Sequence, residues 1–293
     1  MEPASHHLSK EEQQYFRKLT EGIFGYSEQI RNERLKSLAT DFHITLIAPD
    51  LCTFLKETVH YNLVFTDLTL LIYAVRAIKS LLSNAHVDLK PHIHLVLPTV
   101  LSCCLAKKIS KYYDDNHWTL RDFSAAVAAS ICHSYSDELN NMKGRVIEIY
   151  LSAIRDNSKG LATTYGAIKG LSSFGEDSVK AHLLPNAMLI SNKIHQSLEA
   201  SNYGFYMDHQ KQNVHEAKHV RNVMVTICAP ILHKCRKIND GGLSYVREFG
   251  YLGKSLYIQV KNMESLEQAK SHQNQYVISS VARAGAQQWF QLG

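Results

Sequence analysis

Proline and glycine are scarce, at 6 and 14 of 293 residues. A turn-rich β-sandwich or propeller needs many more of both, so the shortage excludes those architectures and favours long helices. No CxxC pair occurs among the six cysteines, Cys52, Cys103, Cys104, Cys132, Cys228 and Cys235. Most lie in apolar runs, where a free thiol behaves as a small hydrophobe, so a secreted disulfide framework is not expected. The best apolar run, Leu68–Leu82, is interrupted by Arg76 and Lys79 and falls short of the ~20 residues that span a bilayer. The opening MEPASHHLSKEEQQ contains no leader-like apolar stretch. These absences predict a soluble protein of the nucleus or cytoplasm with no membrane contact. The net charge of +5 is small and spread along the chain, which argues against sequence-specific nucleic-acid binding.

What is present is helical periodicity over a chain that is 45% apolar. In Thr66–Asn84, Leu68, Leu71, Ile72, Val75, Ile78 and Leu82 share one helix face, and Leu70, Ala74, Ala77 and Leu81 share a second. A helix apolar on two sides packs between neighbours. Ser9–Glu12 and Thr119–Asp122 both fit the capping box. Asn239-Asp-Gly-Gly242 reads as a turn before a periodic stretch, Tyr245–Val260. Ala200–Val214, polar and following a long helix, is expected to be the least ordered interior segment, and the weakly patterned residues from Glu264 onward are expected to fray.

Four prolines, Pro49, Pro98, Pro185 and Pro230, each sit inside an apolar helical run. Their separations fit a step of about 45 residues with one member missing near position 142, in the range of HEAT and armadillo repeats. Alternatively, they are coincidental kinks in a generic helical protein. The repeat reading places first helices near 43–60, 91–108, 138–155, 177–198 and 216–237, each proline bending its helix. Second helices fall near 66–83, 119–134, 159–174 and 244–260, and an N-terminal pair at 9–24 and 28–39 caps the stack. The expectation is an all-α solenoid of about five HEAT repeats, built of antiparallel helix pairs over residues 9–262. Residues 1–8 form a disordered tail and 263–293 a weakly ordered one.

The sharpest chemical motif is His215-Glu216-Ala-Lys-His219, an HExxH. Two imidazoles at i and i+4 could chelate zinc, with Glu216 as general base for a hydrolase. Its context argues against this: Asn222 and Val225 stand where the extended motif needs Gly and His. Glu248 could supply a third ligand from a separate helix, but its surroundings give that no independent support. Gly253-Lys-Ser255 matches the end of a P-loop, but Glu248 occupies the place of the first glycine, where a carboxylate would repel phosphate. Gly166 and Gly170 share a helix face and suit close helix packing, as does the small-residue run Ser124–Ala129. Tyr112 and Tyr113 beside Lys107, Lys108 and Lys111 could stack on nucleic acid, although such clusters more often mark a solvated helix end. No catalytic residue, cofactor or metal ion is expected, and the chain reads as a non-enzyme.

Four strings carry a resemblance: Leu70-Leu-Ile-Tyr-Ala-Val-Arg76, Asp115-Asn-His-Trp-Thr-Leu-Arg-Asp-Phe123, Tyr165-Gly-Ala-Ile-Lys-Gly-Leu171 and Glu248-Phe-Gly-Tyr-Leu-Gly253. Leu8-Ser9 with Gln13-Gln-Tyr15, and Ser37-Leu-Ala-Thr-Asp41, extend it. Together they resemble the C-terminal HEAT-repeat domain of TFIID subunit 6. The resemblance implies a nuclear scaffold in RNA polymerase II preinitiation complex assembly, with other TFIID subunits as partners, subunit 8 and lobe-bridging contacts among them. A paralogous subunit of a SAGA-type coactivator is the alternative. The stretch before Ser9 leaves no room for the family's histone fold, so pairing with subunit 9 is not carried over. Within the strings, candidates for structural or partner-binding roles are Asn116, His117, Trp118, Arg121, Asp122, Tyr165, Gly166, Gly170, Glu248, Phe249 and Gly250. Trp118 packs between repeats, with Asn116 and His117 satisfying helix-end backbone groups, or the three form a rim for partners.

Overall fold

In the computed structural model the described residues are 8–112, 114–203, 207–235 and 241–270, and among them there is no strand. Ser9 opens the first helix, α1 (Lys10–Phe24), through a complete capping box: Glu12 N–H donates to Ser9 Oγ at 3.2 Å and Ser9 N–H to Glu12 Oε2 at 2.7 Å. Ser27 caps α2 (Glu28–Thr40), which meets α3 (Ile44–Phe65) at 118°. Thr66, in the left-handed conformation, ends α3, and Asp67 caps α4 (Leu68–Leu82). Next come α5 (Ile93–Leu105), α6 (Trp118–Tyr135), α7 (Met142–Arg155) and α8 (Leu161–Ser172). A short α9 (Glu176–Ser178), a π-turn (Val179–Leu183) and a 3-10 turn at Pro185 (Leu184–Asn186) lead into α10 (Ala187–Tyr203). Then follow α11 (Met207–Cys235), α12 (Gly242–Phe249) and α13 over residues 253–270. Among the described residues no single helix is long and apolar enough to cross a membrane.

The helices pair as α1/α2, α3/α4, α5/α6, α7/α8 and α10/α11. The second members stack in one row, α2–α4–α6–α8–α11. This is an α-solenoid. Helix α4 is buried on both predicted faces, since α2, α3 and α6 surround it. Pro49 and Pro98 each stand sixth in a first helix, and both helices continue past them.

Four expectations need correction. The segment 216–237 does not open a pair: α11 is the second helix beside α10, so Pro230 breaks the proline phase. Ala200–Val214 is helical up to Tyr203 and again from Met207, with residues 204–206 outside the described ones. The predicted helix 244–260 is broken at Gly250, whose φ of 54° ends α12. Thr119 caps nothing, because α6 begins at Trp118 with His117 at the N-cap position and no side-chain cap bond. The region from Glu264 is helical through residue 270; residues 1–7 and 271–293, like Tyr113 and Asn239-Asp240, lie outside the described ones.

A recurrent device finishes the helix ends. Buried side chains donate to C-terminal carbonyls, which otherwise lack partners. Arg31 Nε donates to Ile23 O at 2.9 Å and its guanidinium also to Gly25 O, closing α1. Asn84 Nδ2 donates to Leu38 O and Asp41 O, both at 3.0 Å, closing α2 from the far end of α4. Lys193 Nζ donates to Asp156 O at 2.7 Å, closing α7 from α10. Each bond crosses between helices, so it fixes how they sit as well as where they stop.

Candidate functional site

The candidate residues from the strings 115–123 and 165–171 converge where α5, α6, α8 and α11 meet. Helix α8 is the centre: it packs on all three others and on α7, and Leu161–Gly170 is almost wholly buried. Its glycines permit this. A Cβ on Gly166 would lie 2.0 Å from the Cys104 carbonyl oxygen, and one on Gly170 would lie 2.2 Å from the Tyr150 ring. The two glycines therefore seat α8 against α5 and α7 respectively. Cys104 Sγ donates to Gly166 O at 3.3 Å across the first contact. Burial pushes that thiol up to about 12, so it is a packing group and not a nucleophile.

Arg121 is fully buried on α6. Its guanidinium donates to Cys104 O at 2.8 Å and to Ala106 O at 2.7 Å, closing the C-terminus of α5. Its Nε–H donates to His117 Nδ1 at 3.3 Å. The cation thus faces carbonyl dipoles at the negative end of a helix, and burial pushes it down to about 10. His117 is pushed down to about 3, first by burial and then by the Arg121 charge, so it is a neutral acceptor. This explains why α6 has no side-chain cap: the expected capping imidazole is held by Arg121, and Asn116 is exposed.

Trp118, 5% exposed, lies between repeats. Its ring stacks on His219 of α11 at 4.4 Å and 14°, and meets Tyr165 of α8 edge-on at 4.6 Å. His117 lies at 4.1 Å and His215 at 6.2 Å. Burial, with the neighbouring Asp122 carboxylate, pushes the Tyr165 phenol up. Asp122 pairs with Lys169 of α8 at 3.1 Å.

The HExxH residues take part in this packing. His219 is a stacking platform, held below its ordinary value by burial and by His215. Glu216 accepts from Ala162 N–H at 3.2 Å and from Gln212 at 2.8 Å, so its carboxylate sits at the positive N-terminus of α8. Among the described residues no group of three His, Cys, Asp or Glu could hold a metal ion.

Beside Arg121 opens a cleft of about 270 Å³. Its rim is the loop between α5 and α6, with Lys107, Lys108, Lys111 and Tyr112; its floor includes His117 and Arg121; Gln212 and Glu216 form a wall.

Residues 4–188 match the TAF6 C-terminal HEAT repeat domain. The chain belongs to the TAF6 C-terminal HEAT repeat family. It is 34% identical over 263 residues to transcription initiation factor TFIID subunit 6 of Drosophila melanogaster, covering 88% of this chain and 42% of that protein. It is 30% identical over 199 residues to the SAGA complex/transcription factor TFIID complex subunit Taf6 of Schizosaccharomyces pombe, covering 67% of this chain and 44% of that one. The chain thus spans less than half the length of either relative. A solved TAF6 C-terminal domain from Antonospora locustae shares the fold at a TM-score of 0.55, with 21% identity, covering 75% of this chain and all of that one.

The remaining candidates of this TAF6-type domain form a separate place. Phe249 is buried, and Glu248 is exposed one residue away on α12. Gly250 turns the chain against α10, where a Cβ would lie 2.9 Å from Ser191 Oγ. Ser191 Oγ accepts from Leu252 N–H at 3.3 Å. Sequence reasoning missed Cys104, Ala162 and Gln212 as partners of the first place. No local signal marks them, because each acts through a contact distant in sequence.

Proposed function

We propose that the chain is a non-enzymatic scaffold subunit of TFIID, acting in the nucleus in assembly of the RNA polymerase II preinitiation complex. The observation that carries this reading is the match to the fly TFIID subunit 6 along 88% of the chain. The chemistry agrees. A solenoid buries its core between neighbouring pairs and leaves long faces for partners. The side chains that could have been catalytic are spent on packing: Glu216 on the α8 N-terminus, His219 on Trp118, Cys104 on Gly166. The partners are other TFIID subunits, with subunit 8 and lobe-bridging contacts among them. A second reading, membership of a SAGA-type coactivator, is favoured by the name of the fission yeast relative, which covers both complexes.

The test is affinity purification of the tagged chain from nuclear extract with mass spectrometry. Recovery of TFIID subunits, subunit 8 included, supports the first reading. Recovery of SAGA-specific subunits in their place supports the second. Recovery of neither set overturns both.

A further inference from the structure

We propose that the cleft beside Arg121 docks an extended acidic segment of a partner protein. The inference deepens the scaffold reading and rests on it. Lys107, Lys108 and Lys111 stand exposed on the cleft rim, and none has a side-chain hydrogen bond or ion pair among the described residues. Lysines elsewhere are of both kinds: Lys169 pairs with Asp122, Lys180 and Lys234 with Glu176 and Lys261 with Glu264, while Lys36, Lys56 and Lys90 are exposed singly. The rim differs in that three cations gather on one loop beside a buried fourth. Beneath the rim, the Arg121 cation is met by two carbonyls and a neutral imidazole, with no carboxylate in contact among the described residues. Its field reaches the cleft through a low-dielectric floor, where a charge is weakly screened. The one carboxylate of the wall, Glu216, is already held by Ala162 N–H and Gln212. The lining sets Lys107, Lys108, Lys111 and Arg121 against the single carboxylate of Glu216, an excess of positive charge that Asp115, which accepts from Tyr112 N–H on the same loop, offsets only in part.

Size and composition select the occupant. At about 270 Å³ the cleft is at or below the small end of ligand pockets, ~300–1,000 Å³, and suits one or two side chains of a chain passing over it. Tyr112, exposed at the rim, adds apolar surface for the intervening residues. A nucleic-acid backbone fits less well. It needs a basic groove that tracks successive phosphates, whereas the cations here cluster on one loop.

The test is fluorescence anisotropy on the full chain, with a labelled peptide of alternating glutamate and alanine. Its glutamine counterpart and a single-stranded oligothymidylate of similar length are the comparison probes. The glutamate peptide is expected to bind most tightly and to weaken as salt rises. The variant K107Q/K108Q/K111Q should bind it about tenfold more weakly, about 1.4 kcal/mol, with an unchanged thermal midpoint. The variant K36Q/K56Q/K90Q, with the same charge loss on exposed lysines elsewhere, should bind like the parent. Equal binding of the glutamate and glutamine peptides, equal losses in both variants, or tighter binding of the oligonucleotide would each overturn the proposal. No TFIID subunit is in the assay, so its outcome and that of the co-purification are read separately.

Discussion

Two buried arginines close helix C-termini in this solenoid, and they do so in different electrostatic company. Arg31, at the first pair, donates to Ile23 O and Gly25 O, contacts the Glu28 carboxylate, and lies 3.5 Å over the Tyr73 ring. Glu28 in turn accepts from Arg76 of α4 at 3.0 Å. Arg121, at the third pair, makes the matching bonds to Cys104 O and Ala106 O, yet its third partner is a neutral histidine. The first corner is a completed ion-pair network. The second has the same mechanical closure with no carboxylate in direct contact among the described residues, Glu216 acting on it only from the cleft wall, and it opens onto a cleft rimmed by Lys107, Lys108 and Lys111. The difference teaches that closing a helix end requires only donors, and a counter-charge is optional. Where no carboxylate touches the guanidinium among the described residues, the surface beside it is available to one from outside.

The largest effect should come from the ring that only the second corner has. Trp118→Ala removes the contact shared by α6, α8 and α11. Truncating a buried aromatic costs about 3–5 kcal/mol, and nearest-neighbour coupling in a repeat stack should pass the loss to adjacent pairs. Urea unfolding of the variant should show a much lower midpoint. A variant with an unchanged midpoint that loses its complex partners would make Trp118 a surface anchor instead.

Next, the arginines can be set against each other. Arg121→Leu strands two helix-end carbonyls and the His117 acceptor, and leaving buried groups unpaired costs ~1–3 kcal/mol each. A total of about 3 kcal/mol is expected after relaxation. Arg31→Leu strands two carbonyls in a terminal pair, where local opening is cheaper, and its carboxylate partner stays hydrated with Arg76. Its cost should be about 2 kcal/mol, confined to α1 and α2 by amide hydrogen exchange. Equal costs with equal spread would mean that the counter-charge and the position in the stack are both irrelevant.

The helix-to-helix seat gives a smaller, steric test. Gly166→Ala places a methyl 2.0 Å from the Cys104 carbonyl oxygen, so α5 and α8 must separate. Overpacking of this kind costs about 1–3 kcal/mol, and about 2 kcal/mol is expected from chemical denaturation. The first corner has its own tight glycine: at Gly22 a Cβ would lie 2.6 Å from Arg34 Cγ, so a side chain and not a backbone carbonyl must shift. Gly22→Ala should therefore cost about 1 kcal/mol, less than Gly166→Ala.

Much of this framework was legible before any coordinates. The Ser9–Glu12 box lies within one helical turn, so local chemistry decides it, and it forms. Pro49 and Pro98 fall at matching places in successive first helices, which reveals the repeat. The same reasoning failed where a distant partner intervenes. Thr119 has the right spacing for a cap, yet Arg121 draws His117 into the N-cap position and the helix starts early. Pro230 has the right spacing for a first helix, but α11 packs back on α10. Arg31 drew no notice, since a lone arginine in a polar helix reads as solvated; its burial depends on α4 bringing Tyr73 across it. At the candidate site, the string around Trp118 and the glycines of α8 stood out in sequence. What joins them, the carbonyl of Cys104, is backbone and has no residue signature.

The smallest test separates the corners by pH. His117 is neutral in the folded chain, with its value pushed down to about 3, while in the unfolded chain it titrates near 6.5. Protons therefore bind the unfolded state first as pH falls. The stabilisation is fully present above about pH 6.5 and declines below it by about 1.4 kcal/mol per pH unit. The lowered value of His219 acts with the same sign. At the first corner the lowered group is Glu28, held down chiefly by Arg76; its contribution is present above the ordinary carboxylate range and lost only as pH falls through and below it. Between pH 6.5 and 5.5, then, only the second corner should weaken. Urea melts followed by Trp118 fluorescence, in a Trp289→Phe background that removes the other indole, should show a falling midpoint across this range. His117→Asn keeps an acceptor for Arg121 Nε–H and removes the titrating ring, so it should flatten the dependence by about one proton. An unchanged slope in that variant would place the acid sensitivity outside the Arg121 corner and remove the electrostatic difference between the two.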